Sequence, residues 1–142
     1  MVKDKEVNKK KQGKKNRAAG ARFELKVRND LEKRGWIIDK WTNNVDLEKK
    51  ELMKAKRKFN PFSKVFVIGT GFPDFIGIKR KGKLYEIAGI EVKANGWLDK
   101  NEKAKSQFLI NKKIFNKLII AKKGKKRGEI VYTDFEKKHN KT

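Results

Sequence analysis

Residues 70–93 read TGFPDFIGIKRKGKLYEIAGIEVK, and this stretch decides the fold. Two segments rich in Ile, Val, Phe and Tyr lie on either side of a basic turn, Arg-Lys-Gly-Lys, at residues 80–83. Paired strands are typically joined by short turns that contain glycine, because glycine adopts the backbone angles that tight turns require. The pattern therefore predicts a β-hairpin.

Three charged side chains lie at the open end of this predicted hairpin. Glu91 and Lys93 are two residues apart in the second strand, so their side chains point to the same face. Asp74 enters the first strand directly after Pro73. If the strands pair antiparallel about the turn, Asp74 lies close to the other two. The sequence thus predicts that two carboxylates and an ammonium group meet at one edge of the sheet.

Two neighbouring carboxylates indicate a shared proton or a bound cation, because like charges side by side are unfavourable. Mg²⁺ usually binds one or two carboxylates, with water and substrate phosphate as its other ligands. Lys93 beside such a pair would orient a water and offset charge on a phosphate, which suits metal-assisted phosphodiester hydrolysis. The alternative is that Asp74 caps a turn and that Glu91 and Lys93 are solvated residues of the sheet face.

The sequence Pro73-Asp74, followed by Glu91-Val92-Lys93, resembles the signature of the PD-(D/E)XK nuclease superfamily. The resemblance implies an α/β fold, with a restriction-endonuclease-like core in which helices flank a mixed central β-sheet. It also implies a site for Mg²⁺, with Mn²⁺ as an alternative, on Asp74, Glu91 and the main-chain carbonyl of Val92. In that family the lysine, here Lys93, positions the attacking water and stabilises charge in the transition state.

The first helix is predicted over residues 17–34. Its apolar residues Phe23, Val27 and Leu31 recur every four positions, and Gly35 ends the run. Glu24 lies beside this apolar stripe. A carboxylate at such a position is often a solvated helix residue, so the pattern alone assigns it no role.

This helix resembles the first helix of the archaeal-type Holliday junction resolvases within the superfamily. The residues that carry the resemblance are Arg17, Gly20, Glu24, Leu31 and Gly35. In that family the glutamate of the helix completes the metal cluster, so the resemblance implies a metal-binding and catalytic role for Glu24. The likeness to the superfamily core extends from about residue 20 to residue 121.

A second helix is predicted after the hairpin. Residues 99–102, Asp-Lys-Asn-Glu, are typical of a capping box, and the helix is expected to run to about residue 115. A glutamine on the helix that follows the Glu-x-Lys strand resembles an active-site neighbour in this superfamily, which implies a catalytic role for Gln107. The alternative is an ordinary exposed glutamine.

The charge of the chain points to a polyanionic partner. Its 142 residues include 40 Lys and Arg against 17 Asp and Glu, a formal net charge of +23. Nucleic acid is the commonest partner of such a surface, whereas a merely soluble lysine-rich surface usually carries more balancing acid. No apolar run approaches the roughly 18 residues of a spanning helix, so no membrane is expected. The residues predicted to contact DNA are Lys14, Lys15, Arg17, Arg22, Lys54, Arg57, Lys58, Lys122 and Lys123.

Residues 1–16 are almost all polar and rich in lysine, which predicts a disordered basic arm. Such an arm would either track a DNA backbone or act as a solubilising tail. Residues 17–142 are predicted to form a single nuclease domain. Within it, residues 42–64 combine a weak helical period with a basic patch, and form either a DNA-contacting insertion or a solvated helix face. Resolvases usually have a shorter connection at this point.

The remaining strands are predicted from short apolar runs at residues 36–41, 65–68, 118–121 and 129–133. In the first of them, Trp36 and Ile38 share one face and Ile37 takes the other. The order of helix, strands, helix and strand predicts an α/β fold with a mixed central sheet.

These observations favour a Mg²⁺-dependent, structure-specific endodeoxyribonuclease, and the helix resemblance favours a Holliday junction resolvase. Such an enzyme would act as a homodimer, because a four-way junction offers two symmetric cuts. The chain has no cysteine and one histidine, which excludes a cysteine nucleophile and argues against a Ser-His-Asp triad. We expect an intracellular location on DNA, in the cytoplasm of a prokaryotic or virus-infected cell. The alternatives are a nicking, homing or repair endonuclease of the same superfamily, or a basic protein that binds DNA without catalysis.

Overall fold

The structure, a computed structural model, describes residues 2–54, 57–60, 65–68 and 71–139. Its helices are α1 (Val2–Lys33), α2 (Lys100–Asn111) and α3 (Phe135–His139). Its strands are β1 (Ile37–Lys40), β2 (Asn43–Asp46), β3 (Glu51–Lys54), β4 (Arg57–Asn60), β5 (Val65–Ile68), β6 (Phe75–Lys81), β7 (Leu84–Val92), β8 (Lys117–Lys123) and β9 (Ile130–Asp134). None of the described helices is long and apolar enough to cross a membrane.

Five strands form the central sheet in the order β1-β6-β7-β8-β9. Strands β7 and β8 are parallel and the other neighbours are antiparallel, so the sheet is mixed, as predicted. The predicted hairpin is confirmed, because β6 and β7 pair from Phe75 opposite Ile90 to Lys81 opposite Leu84. Gly82 in the turn has a φ of 62°, which glycine adopts without strain.

The directions of the strands decide which loops meet. Strand β8 runs parallel to β7, with Val92 opposite Ala121. The last residues of β7, the first residues of β6 and the β8–β9 turn (residues 124–129) therefore lie at the same end of the sheet, here called the Val92 end. The β6–β7 turn, which here includes the last two residues of β6 (residues 80–83), lies at the opposite end.

Helices cover the two faces of the sheet. On one face, the core includes Val27 and Leu31 of α1 and Ile90 of β7, all buried. On the other face, Leu109 of α2 packs with Leu118 of β8 in a second core. Because side chains alternate along a strand, neighbouring residues at the end of β7 reach opposite layers.

Helix α1 begins much earlier than predicted. Residues 2–16 continue the helix, where the sequence predicted a disordered arm. Nucleation of a helix is unfavourable, and Phe23, Val27 and Leu31 offset it because they are buried against the sheet. Lysine, glutamine, glutamate and alanine are good helix formers, so the helix can extend from this packed part without an apolar face of its own.

The predicted insertion at residues 42–64 is not helical where the structure describes it. Strand β2 pairs with β3, and β4 pairs with β5, in two separate two-stranded sheets. The predicted strand at residues 65–68 is confirmed as β5. Residues 55–56 and 61–64 lie outside the described part of the chain.

A turn explains why the first of these segments is a hairpin. The side chain of Asp46 accepts hydrogen bonds of 3.1 Å from the N–H groups of Glu48 and Lys49. An aspartate that binds the backbone two or three residues ahead closes a turn, and this competes with a helix. Val45 is buried and holds the hairpin against the second core.

The capping box of α2 is confirmed. The side chain of Asp99 accepts a hydrogen bond of 2.8 Å from the N–H of Glu102, whose carboxylate accepts one of 3.1 Å from the N–H of Asp99. The helix ends at Asn111, earlier than the predicted residue 115. Lys113 has a φ of 57°, which turns the chain out of the helix and lets Phe115 become buried.

Candidate active site

Main-chain hydrogen bonds hold the segment that leads to Asp74. The N–H of Trp41 donates to the carbonyl of Asp74 over 3.2 Å, and the N–H of Phe72 donates to the carbonyl of Asn43 over 2.9 Å. Phe72 and Pro73 are buried, and the peptide bond between them is cis. The backbone therefore sets the position of Asp74 at the start of β6.

Gly71 lies too close to neighbouring backbone for any other residue. A Cβ at this position would be 2.3 Å from the carbonyl oxygen of Trp41 and 2.7 Å from that of Asn43. We expect Gly71→Ala to lower the free energy of unfolding by roughly 1–3 kcal/mol, because backbone atoms must shift to admit a methyl group. Urea unfolding measures this change. Gly13→Ala is the control, since nothing lies within 4 Å of a Cβ there. Equal midpoints for Gly71→Ala and the wild type would contradict the prediction.

Asp74 and Glu91 lie together, as the hairpin pattern predicted. The register that sets Phe75 opposite Ile90 places the two acidic residues opposite each other. Asp74 Oδ2 accepts a hydrogen bond of 2.8 Å from the N–H of Val92, and its carboxyl group lies within hydrogen-bonding reach of that of Glu91. A hydrogen bond between two carboxyl groups requires a proton on one of them. The two groups can therefore stay this close only with a proton on one of them or a cation between them.

Glu91 is only 4% exposed. Burial, then the hydrogen bond and charge of Asp74, then those of Glu102, raise the pKa of Glu91 to about 10. The pair therefore keeps a proton at neutral pH when no cation is bound. A divalent cation would take the place of that proton, because it offsets the negative charge of both groups.

The donor atoms at this position fit Mg²⁺, which prefers oxygen ligands. Asp74 and Glu91 supply carboxylate oxygens. In a strand, the N–H and C=O of one residue point to the same side. The N–H of Val92 points to Asp74, so the carbonyl of Val92 lies on that side as well.

Lys93 lies beside the carboxyl pair and is bound by a residue that the sequence patterns did not single out. Its Nζ is 2.6 Å from Oε2 of Glu102, and about one third of the lysine side chain is exposed. Burial lowers the pKa of Lys93, but the hydrogen bond and charge of Glu102 and the charges of Glu91 and Asp74 outweigh it, so the pKa is raised. Lys93 therefore carries its positive charge at neutral pH.

Glu102 connects the helix to the site. Its carboxylate accepts a hydrogen bond from the N–H of Asp99, pairs with Lys93 and lies close enough to Glu91 to raise the pKa of that group. The capping box was the signal for this residue, since it places a glutamate in the first turn of α2. The capping-box sequence did not reveal that the first turn of α2 faces the end of β7.

Glu24 approaches the pair from α1. It is half-buried, and burial, followed by the negative charge of Asp74, raises its pKa, while the charge of Lys40 lowers it. Within the described part of the chain, no three acidic, histidine or cysteine side chains form a group that could hold a metal ion. The structure thus brings Glu24 near Asp74, and its role as a metal ligand stays a prediction.

Gln107 is half-buried in the middle of α2. Its side-chain amide donates a hydrogen bond of 2.8 Å to Oδ1 of Asn111, one turn further along the same helix. The structure thus gives Gln107 a partner within α2, and the catalytic role that the resemblance implies stays a prediction.

The basic residues predicted to contact DNA fall in three places. Those on α1 are exposed, namely Lys14, Lys15, Arg17 and Arg22. At the Val92 end of β8, Lys122 is half-buried and Lys123 is exposed. Lys54 is exposed at the end of β3, whereas Arg57 and Lys58 belong to β4 with side chains that lie outside the described part.

Comparison of the chain with protein-family models, with curated proteins and with solved structures found no match. The superfamily resemblance therefore stays a prediction from the residues that carry it. What the structure adds is the joint position of Asp74, Glu91 and Lys93 at the Val92 end.

Proposed function

We propose that this protein is a Mg²⁺-dependent endodeoxyribonuclease that acts by metal-assisted phosphodiester hydrolysis. The observation that carries the proposal is the pair formed by half-buried Asp74 and buried Glu91, with the charged amine of Lys93 beside it. These groups lie on a chain with a net charge of +23, which favours a polyanionic substrate.

Asp74, Glu91 and the carbonyl of Val92 would hold Mg²⁺, or Mn²⁺ in its place. The cation supplies Lewis-acid catalysis and a lowered pKa for its bound water. Lys93 would orient the attacking water and offset the negative charge that grows on the phosphate. Glu102 holds the lysine amine over 2.6 Å, so the amine is positioned before substrate binds. By resemblance, the products would carry 5′-phosphate and 3′-hydroxyl ends.

A protein that only binds DNA gains nothing from buried acids beside its phosphate-binding surface, since they repel the ligand. Burying a carboxyl group also costs stability unless it is paired or protonated. Glu91, at 4% exposure, avoids that cost only by keeping a proton at neutral pH, which its pKa of about 10 allows, or by binding a cation. The arrangement therefore favours an enzyme over a basic architectural protein.

Within this class we favour a Holliday junction resolvase acting as a homodimer, on the resemblance of the helix that carries Glu24. The substrate would be a four-way junction cut at two symmetric positions. Light scattering of the free protein tests the dimer, and mapping of the cut sites on both strands of a junction tests the symmetry.

Cleavage of a four-way junction, a Y-fork, linear duplex and single strand, each with Mg²⁺ and with EDTA, tests the proposal. We expect cleavage with Mg²⁺ that EDTA abolishes, with the junction cut fastest. Cleavage without preference for the junction would replace the resolvase by another endonuclease of the nicking, homing or repair type. No cleavage of any substrate with Mg²⁺ or Mn²⁺, together with tight binding, would favour the non-catalytic alternative.

A further inference from the structure

We infer that the groove between α1 and the β8–β9 turn holds the phosphate backbone of the DNA strand that leads to the Asp74–Glu91 pair. This inference rests on the proposed function and names the surface that the substrate strand occupies. It is carried by the shape of the groove, by the charges on its two walls and by its position at the Val92 end.

Three adjoining cavities form the groove along α1. The first, of about 220 Å³, is lined by Glu24 and Val92 and by Lys123. The second, of about 510 Å³, shares Lys123 with the first and extends along the β8–β9 turn. The third, of about 590 Å³, shares Lys26 with the second and continues to Arg34. The three cavities thus follow one another along α1, and the first is lined by Glu24 and Val92, two of the residues assigned to the candidate metal site.

Both walls of the groove are basic. Arg22, Lys26 and Lys33 are exposed along the α1 wall. The opposite wall is the β8–β9 turn, where Lys125, Lys126 and Arg127 follow one another and are all exposed. Cations on two facing walls suit an extended row of phosphates better than a single small anion.

Lys123 stands where the first cavity meets the second. Its Nζ lies 5.4 Å from the ring centroid of Phe23, which is 6% exposed on α1. A cation over an aromatic ring is held in place without an anionic partner. Lys123 is therefore available to a phosphate in the cavity that Glu24 and Val92 also line.

The acidic groups that face the outer part of the groove already have partners. Asp30 accepts hydrogen bonds from the hydroxyl of Tyr132 and from Arg34, which lowers its pKa. Glu129 accepts a hydrogen bond of 3.2 Å from the N–H of Lys126, within its own turn. Glu24, at the inner end, belongs to the candidate metal site. The net charge offered to a ligand along the groove is therefore positive.

The topology supplies a matched control. The β8–β9 turn lies at the Val92 end because β8 runs parallel to β7. The β6–β7 turn, at the far end of the sheet, carries Arg80, Lys81 and Lys83, also exposed. Each turn thus presents two lysines and one arginine, but only one of the two turns borders the groove.

The test compares two triple variants, K125Q/K126Q/R127Q in the groove turn and R80Q/K81Q/K83Q in the far turn. Fluorescence anisotropy measures their binding to duplex and four-way junction DNA in EDTA across a salt series. If the groove turn contacts three phosphates, its variant should reduce the slope of log K against log salt by about 2.7 and weaken binding near 0.1 M salt by roughly 100-fold. The far-turn variant should bind like the wild type.

Equal weakening by both variants would mean that diffuse charge binds DNA, and the inference would be overturned. Wild-type binding by the groove-turn variant overturns it as well. A third arm uses vesicles of anionic phospholipid, and loss of vesicle binding with unchanged DNA binding would assign the groove to a membrane surface instead. Thermal unfolding of both variants tests whether each is folded, which the exposure of the altered side chains leads us to expect; Lys81, which pairs with Glu86, is the position where a loss of stability would show.

A second measurement maps the strand directly. The chain has no cysteine, so Lys125→Cys and Lys83→Cys each provide one attachment point for a photo-crosslinker. We expect crosslinks to DNA from position 125 and not from position 83, and the reverse result would overturn the inference. Both measurements are made without Mg²⁺, so they succeed or fail independently of cleavage. A protein that binds through the groove and never cuts DNA would contradict the proposed function alone.

Discussion

Glu91→Gln and Asp74→Asn are each expected to slow DNA cleavage at saturating Mg²⁺ by roughly 10²–10³-fold or more, with little change in DNA binding. Each substitution would remove one of the proposed carboxylate ligands of the cation. A bound cation supplies several kcal/mol of charge stabilisation in the transition state, and about 1.4 kcal/mol corresponds to a tenfold change in rate. Neither residue has a proposed role in binding phosphate, so affinity should hold or rise as negative charge is removed. Single-turnover cleavage of a four-way junction measures the rate, and fluorescence anisotropy measures the affinity for DNA.

Glu86→Gln is the matched control for these variants. Glu86 lies in the same strand, β7, where it is largely buried and pairs with Lys81 at 2.7 Å and with Lys117 at 2.5 Å. Removing its charge perturbs the strand but not the candidate site, so cleavage should stay close to the wild type. Equal losses in all three variants would indicate damage to the fold, and wild-type cleavage by both site variants would exclude the proposed metal ligands.

The sequence predicted the part of the site that depends on local rules. Alternation along a strand and a glycine turn are properties of neighbouring residues, and they placed Asp74 opposite Glu91 correctly. The same alternation predicted the faces at the start of β1, where Ile38 and the preceding Trp36 are buried and Ile37 is 68% exposed.

The two segments that were mispredicted differ from this case for separate reasons. Residues 2–16 have no apolar face, which predicted disorder, yet a helix that is already nucleated by packing further along the chain can extend through good helix formers. Residues 43–54 have a weak helical period, but the turn closed by Asp46 outweighs it. In neither segment does the spacing of apolar residues determine the structure. For residues 2–16 the packing of α1 further along the chain does so, and for residues 43–54 the turn at Asp46 does so.

The partners supplied by α2 could not be predicted, because they depend on how a helix is rotated against the sheet. Leu109 and Ser106 are fully buried, and the Ser106 hydroxyl donates to the carbonyl of Glu102 over 2.7 Å. That rotation turns the first turn of the helix toward Lys93, so Glu102 reaches the site. Gln107 lies more than a turn further along and binds Asn111 instead.

The metal-free protein is expected to lose stability as the pH rises from about 5 to 9, and Glu91→Gln should remove most of this loss. The pKa of Glu91 is about 10 in the folded chain, against an ordinary value of 4.5. Between these values the folded state holds a proton that the unfolded state has released. The free energy of unfolding therefore falls as the pH rises, by up to about 1.4 kcal/mol per pH unit. Urea unfolding in EDTA at several pH values measures this slope.

The contributions of other groups with shifted pKa values can be distinguished from that of Glu91 in this measurement. Asp30, Glu86 and Asp99 have lowered pKa values, so the stability they contribute is lost below the window, as the pH falls. Burial raises the pKa of Glu24, so Glu24→Gln serves as the control that measures its smaller contribution of the same sign. Mg²⁺ should restore stability at high pH, because a ligand at 100 times its Kd adds about 2.7 kcal/mol. The same steep slope in the wild type and in Glu91→Gln would show that the buried proton lies elsewhere. A flat wild-type profile would show that Asp74 and Glu91 do not share one.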